Sequence, residues 1–288
     1  SNVSAGARRT GAQSSANDGA ALGAVQAVSE IIIENEGGVR IITMNRPDSL
    51  NALNASIMTP LADATADAAR DTSVGCVVIT GAGRGFCSGG DLKGGRDPVE
   101  IDAEKGGRTE QGFARLRCFM ETARLLHEMP MPTIAMVNGP VAGAGIGIAG
   151  ACDLRFAAES ATFLTAFDRI GAGGDFGSTW FWSKIVGTGV ARELFLLGEK
   201  LSAAEAFAKG IYTKLFPDET LREDTLKAAH RLADGPRMGF RYMKQNLNNA
   251  EDWAFEAALD QEALNMTLST QATAAIWKAQ QAAKKDKA

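Results

Sequence analysis

The chain has 288 residues, 45% of them hydrophobic, enough to bury one large core or one core with a small appended layer. Its 30 basic and 34 acidic residues are dispersed and leave a formal charge of -4, which gives no electrostatic footprint for nucleic acid. No apolar run reaches the roughly 20 residues of a membrane span, and Cys76, Cys87, Cys118 and Cys152 lack the spacing of a zinc site or a disulfide framework. A soluble, cytoplasmic protein without a metal or a membrane partner is the expectation.

Residues 1–28 are rich in Ala, Gly, Ser and Asn, with Arg8 and Arg9 as the only bases and no apolar signal core, and read as a mobile tail. Residues 31–33 and 39–44 are strand-like and flank a turn at 36–38. A helix follows over 55–70, with Ile57, Leu61, Ala64 and Ala68 on one face and Asp63, Asp67 and Arg70 towards solvent. Next come an apolar strand at 76–80 and a glycine loop, GAGRGFCSGGDLK, at 81–93. The charged, glycine-bearing stretch 94–112 reads as a long loop, a mobile cover over a pocket. A helix around 113–128 and a strand at 133–137 lead to a second glycine loop, NGPVAGAGIGIAGACDL, at 138–154, with a helix beginning near Ala144.

Beyond about Gly187 helix formers dominate, at 192–197, 204–209, 221–233, 238–248 and 253–283, broken by Gly-Glu, Phe-Pro and Gly-Pro punctuation. The chain therefore divides into the tail 1–28, an α/β core 29–187 and a helical region 188–288. The basic residues Lys278, Lys284, Lys285 and Lys287 read as a solvated helix end.

Two glycine loops that each follow a strand can aim two backbone N–H groups at one point. That geometry holds an oxyanion developing on a thioester carbonyl, and each such donor contributes about 3–4 kcal/mol to the transition state. A dinucleotide fingerprint is the rival reading of the first loop. It fails locally: G-x-G-x-x-G from Gly81 meets Phe86, TGxxxGxG meets Cys87, and neither Tyr212 nor Tyr242 is followed by a lysine four residues on.

Four motifs in order resemble the crotonase superfamily of enoyl-CoA hydratases and isomerases. NRPDSLNAL at 45–53 is similar to NRPxxxNAL, FCSGGDL at 86–92 to AFxAGxDL, the second glycine loop to NGxAxGGGxxLxxxCD, and LLGEKLSAAEA at 196–206 to LTGxxxxAxEA with Leu197 in place of threonine. The resemblance implies an α/β fold, the crotonase spiral of ββα repeats with a C-terminal helical region that assembles a homotrimer or homohexamer. It also implies an acyl-CoA substrate and no tightly bound cofactor, coenzyme A arriving as part of the thioester. Gly90 and Ala144 are the oxyanion donors by this resemblance. Leu50, Ala52, Gly90, Asp91, Leu92 and Lys93 line the CoA groove, where Arg46 or Lys93 meets phosphates as an exposed charge.

The resemblance fails at the acids. The family's hydratases use two glutamates, and those places hold Gly147 and Phe167 here, with Asp168 one residue beyond the second. Asp175, in GGDFGSTW, resembles the aspartate of VPDxGGTW in ring-opening and double-bond isomerases of the superfamily. Phe176, Trp180, Phe181 and Trp182 desolvate it and make it a stronger base. The alternative is an N-cap for a helix starting at Phe176 or Gly177. His127, at a helix end that favours positive charge, and His230 are poor catalytic candidates. One carboxylate suits isomerisation. A hydratase using Asp175 with Asp168 and a noncatalytic acyl-CoA-binding protein stay open beside it.

Overall fold

The computed structural model describes residues 29–92 and 107–285, with side chains through 274. Strands β1 (Ile31–Glu36) and β2 (Val39–Met44) pair antiparallel from Ile31↔Met44 to Glu36↔Val39, across a turn in which Gly37 takes φ 59°. Helix α1 (Ala55–Arg70) starts where the Asn54 side chain accepts the Ile57 N–H at 3.3 Å, and it buries Ile57, Leu61, Ala64 and Ala68 as the periodicity predicts. Strand β3 (Cys76–Gly81) is buried at every position, as expected of a parallel strand covered on both faces.

The stretch 113–128 is two helices rather than one. Helix α2 (Arg108–Phe119) buries none of its residues, whereas α3 (Glu121–Glu128) buries Thr122, Ala123 and Leu126 against the core. The chain bends at Met120, and the second segment, which carries the fully buried residues, lies on α1. The start of α2 also corrects the expected loop over 94–112: residues 108–112 are helical, while the rest of the proposed cover and the tail 1–28 lie outside the described residues.

Strand β4 (Thr133–Val137) is again wholly buried, and β5 (Val141–Ala142), α4 (Ala144–Gly150), β6 (Leu154–Ala158) and β7 (Thr162–Leu164) follow in quick succession. Helices α5 (Ser178–Ile185) and α6 (Gly187–Leu197) precede β8 (Leu201–Ser202) and α7 (Ala203–Ala208), whose Ser202 and Glu205 form a reciprocal capping box. The chain ends with β9 (Lys214–Phe216), α8 (Leu221–Ala233), α9 (Arg237–Ala250) and α10 (Phe255–Lys285).

The main sheet has the order β1-β2-β3-β4-β6-β9 and is parallel except for β1, and a small sheet has the order β5-β7-β8. The core does not end at residue 187. Strand β9 completes the main sheet, and α8 packs on β2, β3, β4 and β6. A three-residue strand has no readable period, which is why composition shows this region as helix alone. Helices α9 and α10 pair with each other and leave Leu247, Phe255, Leu264 and Met266 exposed.

Candidate active site

The first glycine loop is pegged from both sides by asparagine. Pro47–Ser49 form a helical turn, after which Leu50 (φ 52°) and Asn51 (φ 57°) are left-handed, a conformation asparagine tolerates better than most residues. The fully buried Asn51 accepts the Arg46 N–H at 2.8 Å and donates to the carbonyls of Ala82 at 3.0 Å and Gly85 at 2.8 Å. Asn138, just beyond β4, donates to the Gly83 carbonyl at 2.8 Å and accepts the Gly81 N–H at 3.3 Å. Sequence reasoning missed both pegs. Their signal was an asparagine inside each motif, next to residues that must be buried.

The same segment aligns the donor loop. Ser88 N–H donates to Leu50 at 3.0 Å, Leu53 N–H to Gly89 at 2.7 Å and Asp91 N–H to Leu53 at 2.8 Å. This parallel bridge uses the groups of Gly89 and Asp91, so the N–H of Gly90 between them faces away from it. The second loop lies alongside: Phe86 N–H donates to Pro140 at 3.1 Å, and Ala142 N–H to Cys87 at 2.9 Å. Gly143 (φ 52°) then turns the chain into α4, whose first residue, Ala144, has an N–H without an intrahelical acceptor. A Cβ on Gly89 would sit 3.4 Å from the Ala144 nitrogen, so the two loops touch. Neither the Gly90 nor the Ala144 N–H donates a hydrogen bond among the described residues, and a Cβ on Gly90 would meet open space.

The bridge gathers Leu50, Ala52, Gly90 and Asp91, with Leu92 beside them and 70% exposed; Lys93 lies outside the described residues. Arg46 departs from the expectation of a free cation. Its guanidinium lies 3.0 Å from Asp91 Oδ2 and 3.6 Å from Glu30 Oε1 and also donates to the Ala52 carbonyl, so it braces the groove. Asp91 lies 45 residues away in sequence, and the motif spacing gives no hint of the pair.

Asp175 stands in a turn in which Gly174 (φ 100°), Phe176 (φ 49°) and Gly177 (φ 70°) are all left-handed. The turn closes when the Ser178 N–H donates to the Asp175 backbone carbonyl at 2.9 Å. The N-cap alternative is not realised: α5 starts at Ser178, its N-cap is Gly177, and no side chain caps it. Asp175 Oδ1 is buried without a hydrogen-bond partner among the described residues, and burial pushes the carboxyl from its ordinary 3.8 up to about 6. The charge of Asp175 also reaches the Cys87 thiol, which burial above all pushes up to about 12. Phe176 meanwhile abuts Gly147 of α4, where a Cβ would stand 2.7 Å from Phe176 Cβ and 2.7 Å from its carbonyl oxygen. Asp175, the first loop and α4 therefore share one locality.

The other two acid positions are elsewhere or closed. Gly147 has no room for a side chain, and Phe167 is buried with its ring stacked on Phe195 at 5.9 Å. Asp168 is exposed, its carboxylate against Gly198 at the end of α6, where a Cβ would lie 2.4 Å from Asp168 Cγ. Burial is the one cause of the raised Asp175 pKa, so Asp168 leaves no mark on it. His127 differs from expectation as well. It packs between Trp180 and Phe181 at 5.4 and 5.3 Å, and burial lowers its pKa, overriding the favourable helix end.

No group of three or more His, Cys, Asp or Glu residues among the described residues is arranged to hold a metal ion. No described helix is long and apolar enough to cross a membrane.

A mixed α/β core of this topology, with two touching glycine loops and a helical C-terminal region, has the crotonase fold. The chain belongs to the enoyl-CoA hydratase/isomerase family, whose pattern it matches over residues 34–287. The 1,2-epoxyphenylacetyl-CoA isomerase of Escherichia coli (strain K12) is 37% identical over 233 residues, 81% of this chain and 87% of that protein. Enoyl-CoA delta isomerase 2 of Rattus norvegicus is 32% identical over 252 residues, 86% of this chain and 62% of that protein. Among solved structures, an enoyl-CoA hydratase from Bacillus anthracis superposes with a TM-score of 0.78 at 25% identity, covering 89% of this chain and 96% of its own. The relatives thus carry both isomerase and hydratase names, and acyl-CoA chemistry is what they share.

Proposed function

We propose that this family member is an acyl-CoA double-bond isomerase in which Asp175 is the single proton shuttle. The observation that carries the reading is one buried, unpartnered carboxylate beside the two glycine loops, with position 147 shut and Asp168 turned to solvent. The thioester oxygen accepts from the Gly90 and Ala144 N–H groups, and Asp175, mostly ionised at neutral pH, removes the proton from the α carbon of a 3-enoyl-CoA. The C–H electrons pass through the α carbon into the carbonyl, giving a dienolate whose negative charge the two donors hold. Asp175 then returns the same proton at C4, so the product is the conjugated 2-enoyl-CoA and nothing is gained or lost.

Hydration would require activating a water and delivering a proton to the α carbon, tasks for which the family's hydratases use two carboxylates. Coenzyme A enters as part of the substrate and lies along Leu50, Ala52, Gly90, Asp91, Leu92 and Lys93. The exposed apolar side chains of α9 and α10 suit the assembly face of a homotrimer or homohexamer. Incubating the protein with 2-enoyl-, 3-enoyl- and aromatic acyl-CoAs tests the reaction by mass and absorbance. Conversion of a 3-enoyl-CoA at constant mass, with gain of the conjugated absorbance, is expected. Gain of one water from a 2-enoyl-CoA as the faster reaction overturns the isomerase, and binding without turnover across the panel overturns the enzyme.

A further inference from the structure

The turn that carries Asp175 is an unusual piece of backbone. Phe176 is a bulky residue in the left-handed region, with φ 49°, where L side chains are disfavoured. Such a conformation persists only when its surroundings over-determine it. Two features do so here. Phe176 is only 2% exposed, and its Cβ and carbonyl occupy the space that a side chain on Gly147, within the helix that begins at Ala144, would need.

We infer that Phe176 is a positioning residue for Asp175 and that Gly147 is the floor that admits it. The chain thereby fixes one carboxylate by giving up the place of another. Any side chain at 147 meets the Phe176 carbonyl, which belongs to the backbone and moves only if the 174–177 turn moves with it. The site is thus committed to single-acid chemistry by packing as well as by residue type. This inference rests on the proposed role of Asp175. The titratable group of the first loop that feels the Asp175 charge is Cys87, whose thiol burial keeps neutral throughout the working pH range, leaving the carboxyl free to report its own surroundings.

The test is Gly147→Ala, Phe176→Gly, Phe176→Leu, Asp175→Asn and the double variant Asp175→Asn/Phe176→Gly. Each is assayed on a 3-enoyl-CoA for kcat, KM and the pH dependence of kcat/KM, with thermal unfolding alongside. Gly147→Ala and Phe176→Gly are expected to lower kcat about 10²-fold, the scale of a roughly 1 Å misplacement of a reacting group, with KM nearly unchanged. Their acid limb is expected to fall from about 6 towards the ordinary carboxylate value of 3.8 as water reaches Asp175. Phe176→Leu, which refills the buried site, restores most of the kcat lost in Phe176→Gly, and the double variant is no slower than Asp175→Asn.

If Asp175→Asn is inactive while Gly147→Ala and Phe176→Gly keep the kcat and acid limb of the unaltered protein and lose only stability, the two residues merely pack and the inference is overturned. If Asp175→Asn keeps full turnover, the base is wrong and both readings fall together.

Discussion

Two aspartates, each partly withdrawn from water, are treated oppositely by the same fold. Asp153, just before β6, accepts the Thr133 N–H at 2.7 Å, the Thr133 hydroxyl at 2.9 Å and the Lys244 ammonium at 2.8 Å. Lys244 is itself 7% exposed and also donates to the carbonyls of Leu126 and Met131, so one charge pair ties α3, β4, β6 and α9 together. Asp175 has burial without such partners, and its carboxyl rises to about 6. Burial alone therefore says little about a carboxylate's role. What separates the two is whether the chain has spent the acid's acceptor capacity on its own donors, and a buried carboxylate left free is the one to test for chemistry.

The largest effect that divides the two is on rate. Asp175→Asn keeps the side-chain shape and removes the base, and turnover of a reactive 3-enoyl-CoA is expected to drop about 10²–10⁴-fold while CoA affinity is retained. Single-turnover kinetics with a binding measurement on the same variant check this. Undiminished turnover would make Asp175 as structural as Asp153. The mirror experiment is Lys244→Met, which leaves the Asp153 charge with the Thr133 donors alone. Breaking a fully buried pair from one side costs about 3–5 kcal/mol; with Asp153 28% exposed a smaller loss is expected, read by urea unfolding, and the kcat of the folded fraction is expected to stay within about twofold of the original. A collapse of kcat without loss of stability would erase the distinction.

The pH dependence sharpens the comparison. On folding, the Asp175 carboxyl rises from 3.8 to about 6, so between those values the folded chain holds a proton that the unfolded chain has released. Its contribution to stability is fully present below about pH 4 and is lost as pH rises through about 6. The penalty at neutral pH is on the order of 2–3 kcal/mol, at about 1.4 kcal/mol per pH unit. Asp175→Asn does not titrate, so its stability advantage over the unaltered protein is expected to grow across this window, while kcat/KM of the unaltered protein rises through the same pH range as the base ionises. Parallel unfolding and activity profiles measure both slopes, and a stability difference independent of pH would show that Asp175 is hydrated.

Much of this arrangement was legible because it is local. The two strand-then-glycine loops and the buried face of α1 follow from residue types within short windows, Ala144 does begin a helix, and Asp175 stands out by the resemblance of its motif alone. What stayed hidden depends on contacts distant in sequence or on backbone angles. The pairing of Arg46 with Asp91, the seating of Phe176 on Gly147 and the closure of the sheet by Lys214–Phe216 leave no periodic trace. The direction of Asp168 was hidden for a related reason: adjacency to an expected catalytic place says nothing of orientation, and one residue of displacement puts the carboxylate against Gly198.

The asparagine pegs offer a smaller effect. Asn51→Ala leaves the Ala82 carbonyl without this donor and the Gly85 carbonyl with only the longer bond from Asn138 at 3.3 Å, and an unpaired buried group costs about 1–3 kcal/mol. Asn138→Ala leaves Gly83 and Gly81 short, in a more exposed place. Both variants are expected to loosen the donor loop and weaken CoA binding, Asn51→Ala the more, and calorimetric titration with CoA orders them. Equal or reversed losses would move the principal peg from Asn51 to Asn138.

The smallest effect concerns which end of the molecule opens first. Cys87 belongs to the loop end and Cys152 adjoins Asp153; both thiols are buried and pushed up to about 12, so neither reacts in the native state. Cys118 is exposed and would dominate any labelling, which makes Cys118→Ser the proper background. The loop around Cys87 is held by neutral hydrogen bonds from Phe86, Ala142 and the asparagines, and it borders the unpartnered Asp175. Cys152 sits just beyond the end of α4, in a segment clamped through Asp153 by a buried lysine. Local opening draws on the regions with the fewest strong internal contacts. Alkylation in sub-denaturing urea, read by peptide mass, is therefore expected to modify Cys87 before Cys152, and CoA is expected to slow the first reaction while leaving the second unchanged. Simultaneous labelling of the two would mean that both ends unfold as one unit, and that the free carboxylate at Asp175 carries no cost in local stability.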